Sequence, residues 1–239
     1  MKGIFFDLGG TLFSYSNIGQ GAAPLLVEAT RRLGLDLALE DMGAAYWQAN
    51  REISVIYAQK DYYLHAHMFR DTFRRFVQLL EAEFKEDIYD WYRAEQHRVV
   101  VETLELKHDC IETLEQLKDR ELYLSIVSNI DEDTLQPLVE REGLHRYFEH
   151  WTSSEAARSC KPHSRFFEVS LDKAGLEAEE VLFVGDSPEH DVGGASAVGM
   201  RTVLIVQEGV TPPMQSGKPT PEPDHEITHL AELPDLVPG

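Results

Sequence analysis

The stretch Lys2-Gly-Ile-Phe-Phe-Asp-Leu-Gly-Gly-Thr-Leu12 decides how the rest of the chain is interpreted. Its apolar run ends in Asp7 and the pair Gly9-Gly10, a pattern typical of a buried strand that leads into a tight loop. Further short apolar runs follow later in the chain, and helix-forming segments separate them. The predicted strands are 2–6, 122–128, 148–152, 181–184, 202–206 and 226–228, and the predicted helices are 109–118, 133–142 and 164–174.

Strands that alternate with helices of this length form parallel βαβ units, because a parallel crossover needs a dozen or more residues. Such crossovers are right-handed and place helices on the faces of the sheet. We therefore predict an α/β fold with a doubly wound, parallel, Rossmann-like sheet. Residues 207–224 are rich in proline and polar groups and are predicted to form a surface loop before the last strand.

One long helical segment interrupts the alternation soon after the first strand. From about Ser14 to Glu102, apolar residues recur at helical spacing in four runs without a convincing strand, which predicts a small helical bundle. The predicted organisation is an α/β domain of residues 1–14 and 103–239 and an inserted helical domain of residues 15–102.

The composition is that of an ordinary globular protein and excludes several classes of partner. Of the 239 residues 43% are hydrophobic, and the formal net charge is −20. Nucleic acid and anionic membranes both need a basic face, so neither is an expected partner. No apolar run approaches the ~20 residues that span a bilayer, and Asp7 interrupts the opening run too early for a signal peptide. With only two cysteines, a reduced, cytoplasmic protein is expected.

Chemically capable side chains follow several of the predicted strands. Asp7 follows the first strand, Ser128 and Asn129 end another, and Asp186 follows a third. In open α/β sheets, ligands bind beyond the carboxyl ends of the strands. Lys161 lies in a loop that starts a helix. We therefore expect these groups to converge on one edge of the sheet.

The order and context of these residues resemble the haloacid dehalogenase superfamily. Four motifs carry the resemblance: Asp7–Leu12, Val127–Asn129, Lys161–Pro162 and Val184–Asp191. Each stands at a predicted strand end or helix start, and together they cover the whole α/β part. The helical insert resembles the family's C1-type cap, which closes over the reacting group and carries specificity. The resemblance implies a hydrolase of a small, soluble phosphorylated compound.

The resemblance also implies roles for individual residues. Asp7 would be the nucleophile that attacks phosphorus and forms an aspartyl-phosphate. Ser128 and the adjoining Asn129 would bind the phosphoryl oxygens, and Lys161 would pair the nucleophile with the phosphate. Each residue has a structural alternative, since an Asp or a Ser–Asn pair can end a strand by satisfying backbone groups and a lysine can lie at the surface.

A Mg²⁺ site is implied as well. In the family the ion is held by the nucleophile, by a backbone carbonyl two residues later and by acids of the fourth motif, which here are Asp7, Gly9, Asp186 and Asp191. Asp186 would bind the ion directly, and Asp191 would lie nearby or act through a water, which suits a cation that takes oxygen ligands and keeps several waters. The alternative for Asp191 is an acid at a helix start, where it favours the macrodipole.

Gly9 departs from the common phosphatase motif, in which a second Asp stands two residues after the nucleophile. That Asp protonates the leaving group and then activates water, and such general acid–base help contributes ~10²–10⁴ in rate. Gly9 has no group to titrate but keeps its carbonyl. An efficient phosphatase with a substitute acid, a slow phosphatase and a non-catalytic phosphate-binding member of the fold all stay open. Gly9 is also a candidate for positive φ.

A dehalogenase is the other hydrolytic alternative. Relatives that cleave the carbon–halogen bond of small 2-halo acids also lack the second Asp, but they dispense with the metal and lack the Gly-Asp pair of the fourth motif, which this chain retains. In the insert, His65 and His67 are candidates for a replacement acid, and Arg70 and Arg74 are either a solvated face or a second anion site. The sequence leaves the substrate and the oligomeric state open.

Overall fold

The structure is a computed structural model, and it describes residues 1–15, 18–210, 212, 214–215 and 217–237. The chain forms two compact units: a sheet unit, Met1–Ser14 with Leu106–Gly239, and a helical unit, Tyr15–Glu105. The chain returns to the sheet unit at Leu106 rather than at residue 103, because the last helix of the insert continues to Thr103 and a short strand follows it.

The described residues form eight strands, and six of them build the large parallel sheet of the sheet unit. The strands in chain order are β1 (Gly3–Phe6), β2 (Phe13–Ser14), β3 (Glu105–Leu106), β4 (Tyr123–Ser128), β5 (His150–Ser153), β6 (Val181–Gly185), β7 (Arg201–Ile205) and β8 (His225–Ile227). The large sheet has the order β5-β4-β1-β6-β7-β8, and every neighbouring pair is parallel. The short strands β2 and β3 form a separate two-stranded ribbon. The predicted fold class, a doubly wound parallel sheet, is confirmed.

Helices connect the strands of the sheet unit and make up the helical unit. In chain order they are α1 (Ile18–Arg32), α2 (Leu39–Tyr57), α3 (His65–Leu79), α4 (Glu86–Thr103), α5 (Cys110–Lys118), α6 (Glu132–Arg141), α7 (Ser154–Ala157), α8 (Ser164–Ala174), α9 (Gly194–Ala197) and α10 (Leu233–Leu236). A π-helical turn, Pro188–Gly193, follows β6. Among the described helices, none combines the length and the apolar character that a bilayer crossing requires.

The core of the sheet unit fixes the level at which the central strands end. Phe6, the last residue of β1, pairs with Ile126 of β4 on one side and with Val184 of β6 on the other, so β4 ends two residues and β6 one residue beyond this level. Their residues are almost all buried, as expected for parallel strands that helices cover on both faces. Phe166 and Phe183 belong to one buried cluster with the sheet, and burying each such ring contributes ~1.5–3 kcal/mol.

The helical unit has its own aromatic core. Phe73 and Phe76 of α3 are fully buried, and Phe73 stacks on Tyr92 of α4 with ring centroids 4.6 Å apart. Helix α1 packs against α4 and α2 packs against α3. The four predicted helical runs thus form a bundle with an independent hydrophobic cluster.

The insert leaves and re-enters the sheet unit at neighbouring points. The backbone N–H of Lys107 donates a hydrogen bond to the carbonyl of Leu12 at 2.8 Å. These two residues lie just before the exit and just after the return of the chain. The sheet unit is therefore closed across the base of the insertion.

Two predicted features fall partly outside the described residues. The predicted loop 207–224 is irregular wherever the structure describes it, and its positions 211, 213 and 216 are outside the description. The helical texture that was predicted to begin near Ser14 includes residues 16–17, which are also outside it. Helix α1 begins at Ile18.

Candidate active site

Asp7 lies at the centre of the sheet edge, directly after β1. Its backbone N–H donates to the carbonyl of Val184 at 2.9 Å, so the residue extends the strand ladder by one step. The side chain is buried, and its Oδ1 accepts a hydrogen bond from the Ser128 hydroxyl at 2.9 Å. Because Ser128 ends β4, the neighbour of β1, the strand register brings the two residues together.

Lys161 places a cation against this carboxylate. Its Nζ lies 2.6 Å from Oδ1 of Asp7 and 2.6 Å from Oδ1 of Asp191, and its side chain is only 3% exposed. Burial acts to lower the pKa of Lys161, but the charges of Asp191 and Asp7 outweigh it, so the pKa is raised. The lysine therefore stays charged throughout the physiological pH range.

Asn129 fixes the loop that carries this lysine. The Asn129 Nδ2 donates to the carbonyl of Lys161 at 3.1 Å, and the N–H of Lys161 donates to Asn129 Oδ1 at 2.7 Å. The amide thus forms a reciprocal pair with one peptide unit across two loops. The Asn129 side chain is thus used to position Lys161, whereas the predicted phosphoryl contacts at this point are the Ser128 hydroxyl and the adjoining amides.

Three carboxylates meet at the same edge. One oxygen each of Asp7, Asp186 and Asp191 lie within 4.8 Å of one another. Burial, followed by the charges of Asp7 and Asp191, raises the pKa of Asp186. Burial also raises the pKa of Asp191, although the charge of Lys161 opposes the shift. The cluster carries more negative charge than its lysine can neutralise.

The approach of Asp191 depends on Gly185 and the π-helical turn. A Cβ atom on Gly185 would lie 2.2 Å from Oδ2 of Asp191, so no side chain fits there. The same Oδ2 accepts the backbone N–H of Ser187 at 2.9 Å. Asp191 therefore lies inside the turn, and both of its oxygens accept hydrogen bonds, since its Oδ1 is bonded to Lys161.

The donor set of this cluster fits Mg²⁺. Magnesium takes oxygen ligands and is usually bound through one or two carboxylates while it keeps several waters. Asp7, Asp186 and Asp191 offer carboxylate oxygens, and they are crowded enough that burial and repulsion raise the pKa of two of them. A divalent cation would relieve this repulsion.

The loop after Asp7 differs from expectation at one point. The positive φ in the paired glycines belongs to Gly10, with φ of 76°, and not to Gly9. Gly10 makes the turn by donating its N–H to the carbonyl of Phe13 at 2.8 Å. The sequence made Gly9 a candidate for positive φ, but this conformation occurs one residue later, at Gly10. A side chain at position 9 would therefore meet no left-handed backbone strain.

The sequence did not single out several residues that border the site. Gln215, from the proline-rich loop, donates through Nε2 to the Ser187 hydroxyl at 2.9 Å and accepts the N–H of Glu189 at 3.3 Å. Burial, then the charge of Lys161, lowers the pKa of His190 to about 4. His190 lies within the fourth motif, and that position could have indicated that it borders the site. Nothing in the sequence around Gln215 indicates that the Gln215 side chain reaches this turn.

The arginines of α3 form ion pairs within the helical unit. Arg70 forms an ion pair with Glu86, and Arg74 forms one with Asp71 at 3.4 Å. Of the two histidines, His65 packs its ring near Phe69, and His67 is exposed. Their partners favour the solvated face over a second anion site for the arginines.

Comparison with known proteins adds a family and relatives. A model of haloacid dehalogenase-like hydrolases matches residues 1–199. Ribulose-1,5-bisphosphate 5-phosphatase of Halopiger xanaduensis is 29% identical in sequence, and the match covers 98% of this chain and 98% of that protein. Glyceraldehyde 3-phosphate phosphatase of Methanocaldococcus jannaschii is 29% identical, over 99% of this chain and 97% of its own. Among solved structures, L-2-haloacid dehalogenase from Xanthobacter autotrophicus matches with a TM-score of 0.72 and 25% sequence identity, and the match covers 99% of this chain and 98% of that one.

Proposed function

The chain belongs to the haloacid dehalogenase-like hydrolases, and we propose that it is a Mg²⁺-dependent phosphatase of a small phosphorylated metabolite. The observation that carries the proposal is the setting of Asp7. Its Oδ1 is held by Ser128 and Lys161, while Asp186 and Asp191 lie beside it. A carboxylate so placed can attack phosphorus when positive charge offsets the repulsion from the phosphoryl oxygens.

Each side chain has one task in the proposed reaction. An oxygen of Asp7 forms a bond to phosphorus as the bond to the ester oxygen breaks, which gives an aspartyl-phosphate and an alkoxide. The alkoxide takes a proton from water, because Gly9 has no group that could supply one. Water then attacks the same phosphorus, releases phosphate and regenerates Asp7. Lys161 and the Ser128 hydroxyl stabilise the equatorial oxygens, where negative charge develops. Because the Asn129 side chain holds the Lys161 loop, we assign phosphoryl binding at that position to backbone N–H groups.

Magnesium, when bound, would supply neutralising charge at the phosphoryl oxygens. The residues that would hold it are Asp7, Asp186, Asp191 and the carbonyl of Gly9. Asp186 is the better candidate for a direct bond, because both oxygens of Asp191 are committed to hydrogen bonds within the protein.

The relatives support the substrate class. The two phosphatases are named for ribulose 1,5-bisphosphate and glyceraldehyde 3-phosphate, and each aligns over nearly its whole length. We therefore propose a small phosphorylated metabolite as substrate, with the helical unit as the cap that selects it. Cys110 and Cys160 are both buried free thiols, which supports a reduced compartment such as the cytoplasm.

Dehalogenation is the second candidate, and Gly9 favours it, because a halide leaves without a proton and needs no acid at that position. The charge of the site opposes it. A 2-halo acid is an anion, and it would approach Asp7, Asp186 and Asp191, whose combined negative charge exceeds the charge of their ion-pair partner Lys161. A phosphate ester meets the same repulsion, which a divalent cation relieves.

The test is a panel of phosphate esters and 2-halo acids, assayed with Mg²⁺ and with a chelator. We expect phosphate release that depends on Mg²⁺ and that Asp7→Asn abolishes, because the substitution keeps the volume and removes the nucleophile. Asp172→Asn, an exposed acid of α8, serves as the control and should leave turnover unchanged. Halide release without metal would establish the second candidate instead, and activity above a few per cent in Asp7→Asn would place the chemistry elsewhere.

A further inference from the structure

A second group of metal-binding side chains lies in the sheet unit and shares no residue with the candidate active site. His108, Asp109 and His229 each offer one ligand atom, and the three atoms lie within 4.8 Å of one another. The two imidazole rings have centroids 5.9 Å apart and meet edge to face at 78°. Both histidines are exposed, so an ion in the solvent can reach them.

Hydrogen bonds already hold two of these residues in place. Oδ2 of Asp109, directly before α5, accepts the N–H of Ala231 at 3.1 Å. The backbone N–H of His229, which follows β8, donates to the carboxylate of Glu232 at 2.9 Å, and the backbone N–H of Glu232 donates to the carbonyl of His229 at 3.2 Å. Only His108 is outside this set of bonds, so little has to be ordered when an ion binds.

Two imidazoles and a carboxylate are a donor set for transition metals. Imidazole suits Zn²⁺, copper and nickel, whereas Mg²⁺ prefers oxygen ligands alone. We propose that His108, Asp109 and His229 bind a transition-metal dication of the Zn²⁺ class, with water at the fourth position. The ligand atoms of a tetrahedral ion are about 3.3 Å apart at the usual bond lengths, which small side-chain rotations achieve from the present spacing.

Binding leaves in place the hydrogen bonds that position these residues. A neutral imidazole has one nitrogen with a free lone pair, and that nitrogen binds the ion. The bond from the backbone N–H of His229 to the Glu232 carboxylate is kept. Asp109 binds the ion through Oδ1 while Oδ2 still accepts from Ala231.

The ion would fasten the segment from β8 to α10 onto α5. At the other end of α5, Nη1 of Arg120 donates to the carbonyl of Val237 at 2.7 Å. The three ligands add a fastening near the first turn of α5, between residues that are distant in the chain. A ligand that binds only the folded protein raises its melting temperature.

The test is calorimetric titration of the whole protein with Zn²⁺ in excess Mg²⁺, which competes for carboxylates but not for imidazoles. The variants are His108→Ala and His229→Asn, and Asn keeps an acceptor for the helix cap. His225→Ala, an exposed histidine of β8, is the matched control. We expect His108→Ala and His229→Asn to bind Zn²⁺ at least about ten-fold more weakly than the wild type and the control.

Thermal unfolding gives an independent readout. Zn²⁺ should raise the melting temperature of the wild type and of His225→Ala, and it should not raise that of the two variants. Equal Zn²⁺ affinity in all four proteins, or an equal rise in melting temperature, would overturn the proposal. If His229→Asn fails to fold, His108→Ala decides alone, because His108 is not part of the cap.

Discussion

Lys161→Met tests whether the candidate site is held together by charge. The substitution keeps the length of the side chain and removes the cation that lies 2.6 Å from both Asp7 and Asp191. Asp186 is the third acid of this carboxylate cluster. In the variant, the buried Asp7 and Asp191 and the half-buried Asp186 face one another without this cation.

The expected cost follows from the burial of the pair. Removing one partner of a buried ion pair destabilises a protein by about 3–5 kcal/mol, which is the loss we expect without metal at about pH 8. Burial and nearby charge raise the pKa of Asp186 and Asp191. Between the unfolded and the raised folded pKa, the folded state binds more protons than the unfolded state, so stability falls as pH rises. The loss in Lys161→Met should therefore be smaller at about pH 5 than at about pH 8.

Urea unfolding followed by circular dichroism measures this loss, with a chelator and with excess Mg²⁺. An ion that binds only the folded site should restore about 2.7 kcal/mol at a hundred-fold excess over its Kd. The control is Lys173→Met, which changes an exposed lysine that donates to the Trp151 carbonyl at 3.2 Å. Its loss of unfolding free energy should be about 0.5 kcal/mol. A Lys161→Met loss no larger than the control's, or a Lys161→Met protein that Mg²⁺ does not stabilise, would refute the reasoning.

Asp186→Ala should weaken Mg²⁺ binding, measured by titration calorimetry, more than Asp191→Ala, whose oxygens already accept hydrogen bonds within the protein. The opposite ranking would show that the direct ligand is wrongly assigned. Gly9→Asp should raise the turnover of alkyl phosphates by up to about 10²–10⁴-fold if proton donation limits the rate, and it should change aryl phosphates much less. A folded variant without that gain would show that the proton comes from another group or is not needed. Burial, then the charge of Lys173, lowers the pKa of His150 to about 4. The unfolded state therefore takes up the proton first as pH falls, and stability present above about pH 6.5 is lost down to about pH 4. The gap corresponds to about 3 kcal/mol, reduced to about 2 kcal/mol by solvent screening, and urea unfolding of His150→Gln should show a correspondingly weaker pH dependence. An unchanged dependence would assign the effect to other groups.

The convergence of Asp7, Ser128 and Asp186 could be predicted because it depends only on the order of parallel strands. Apolar runs that alternate with helices indicate a doubly wound sheet, and such a sheet brings its carboxyl ends to one edge. The ends of individual strands are harder to predict, because local packing decides them. The predicted strand 148–152 lies at β5 (His150–Ser153), because Phe148 is buried by an edge-to-face contact with Phe6 before the strand begins.

Contacts between distant loops could not be predicted, because no periodicity records them. The depth of Asp191 comes from a π-helical turn and from the missing side chain of Gly185, and both are matters of local backbone geometry. The same holds for Asn129, whose amide is matched to the peptide of Lys161 in another loop. A polar residue in a motif can bind substrate or position another group, and the sequence of the motif is the same in both cases.

The hydrogen bond between Leu12 and Lys107 has an evolutionary consequence. The sheet unit meets the helical insert as it would meet one long surface loop, and the entropy of closing such a loop grows only slowly with its length. Inserts of different size or architecture can therefore replace one another without shifting the register of β1 or moving Asp7. If the proposed function holds, substitutions in the helical unit and substitutions around Asp7 can be selected independently of one another.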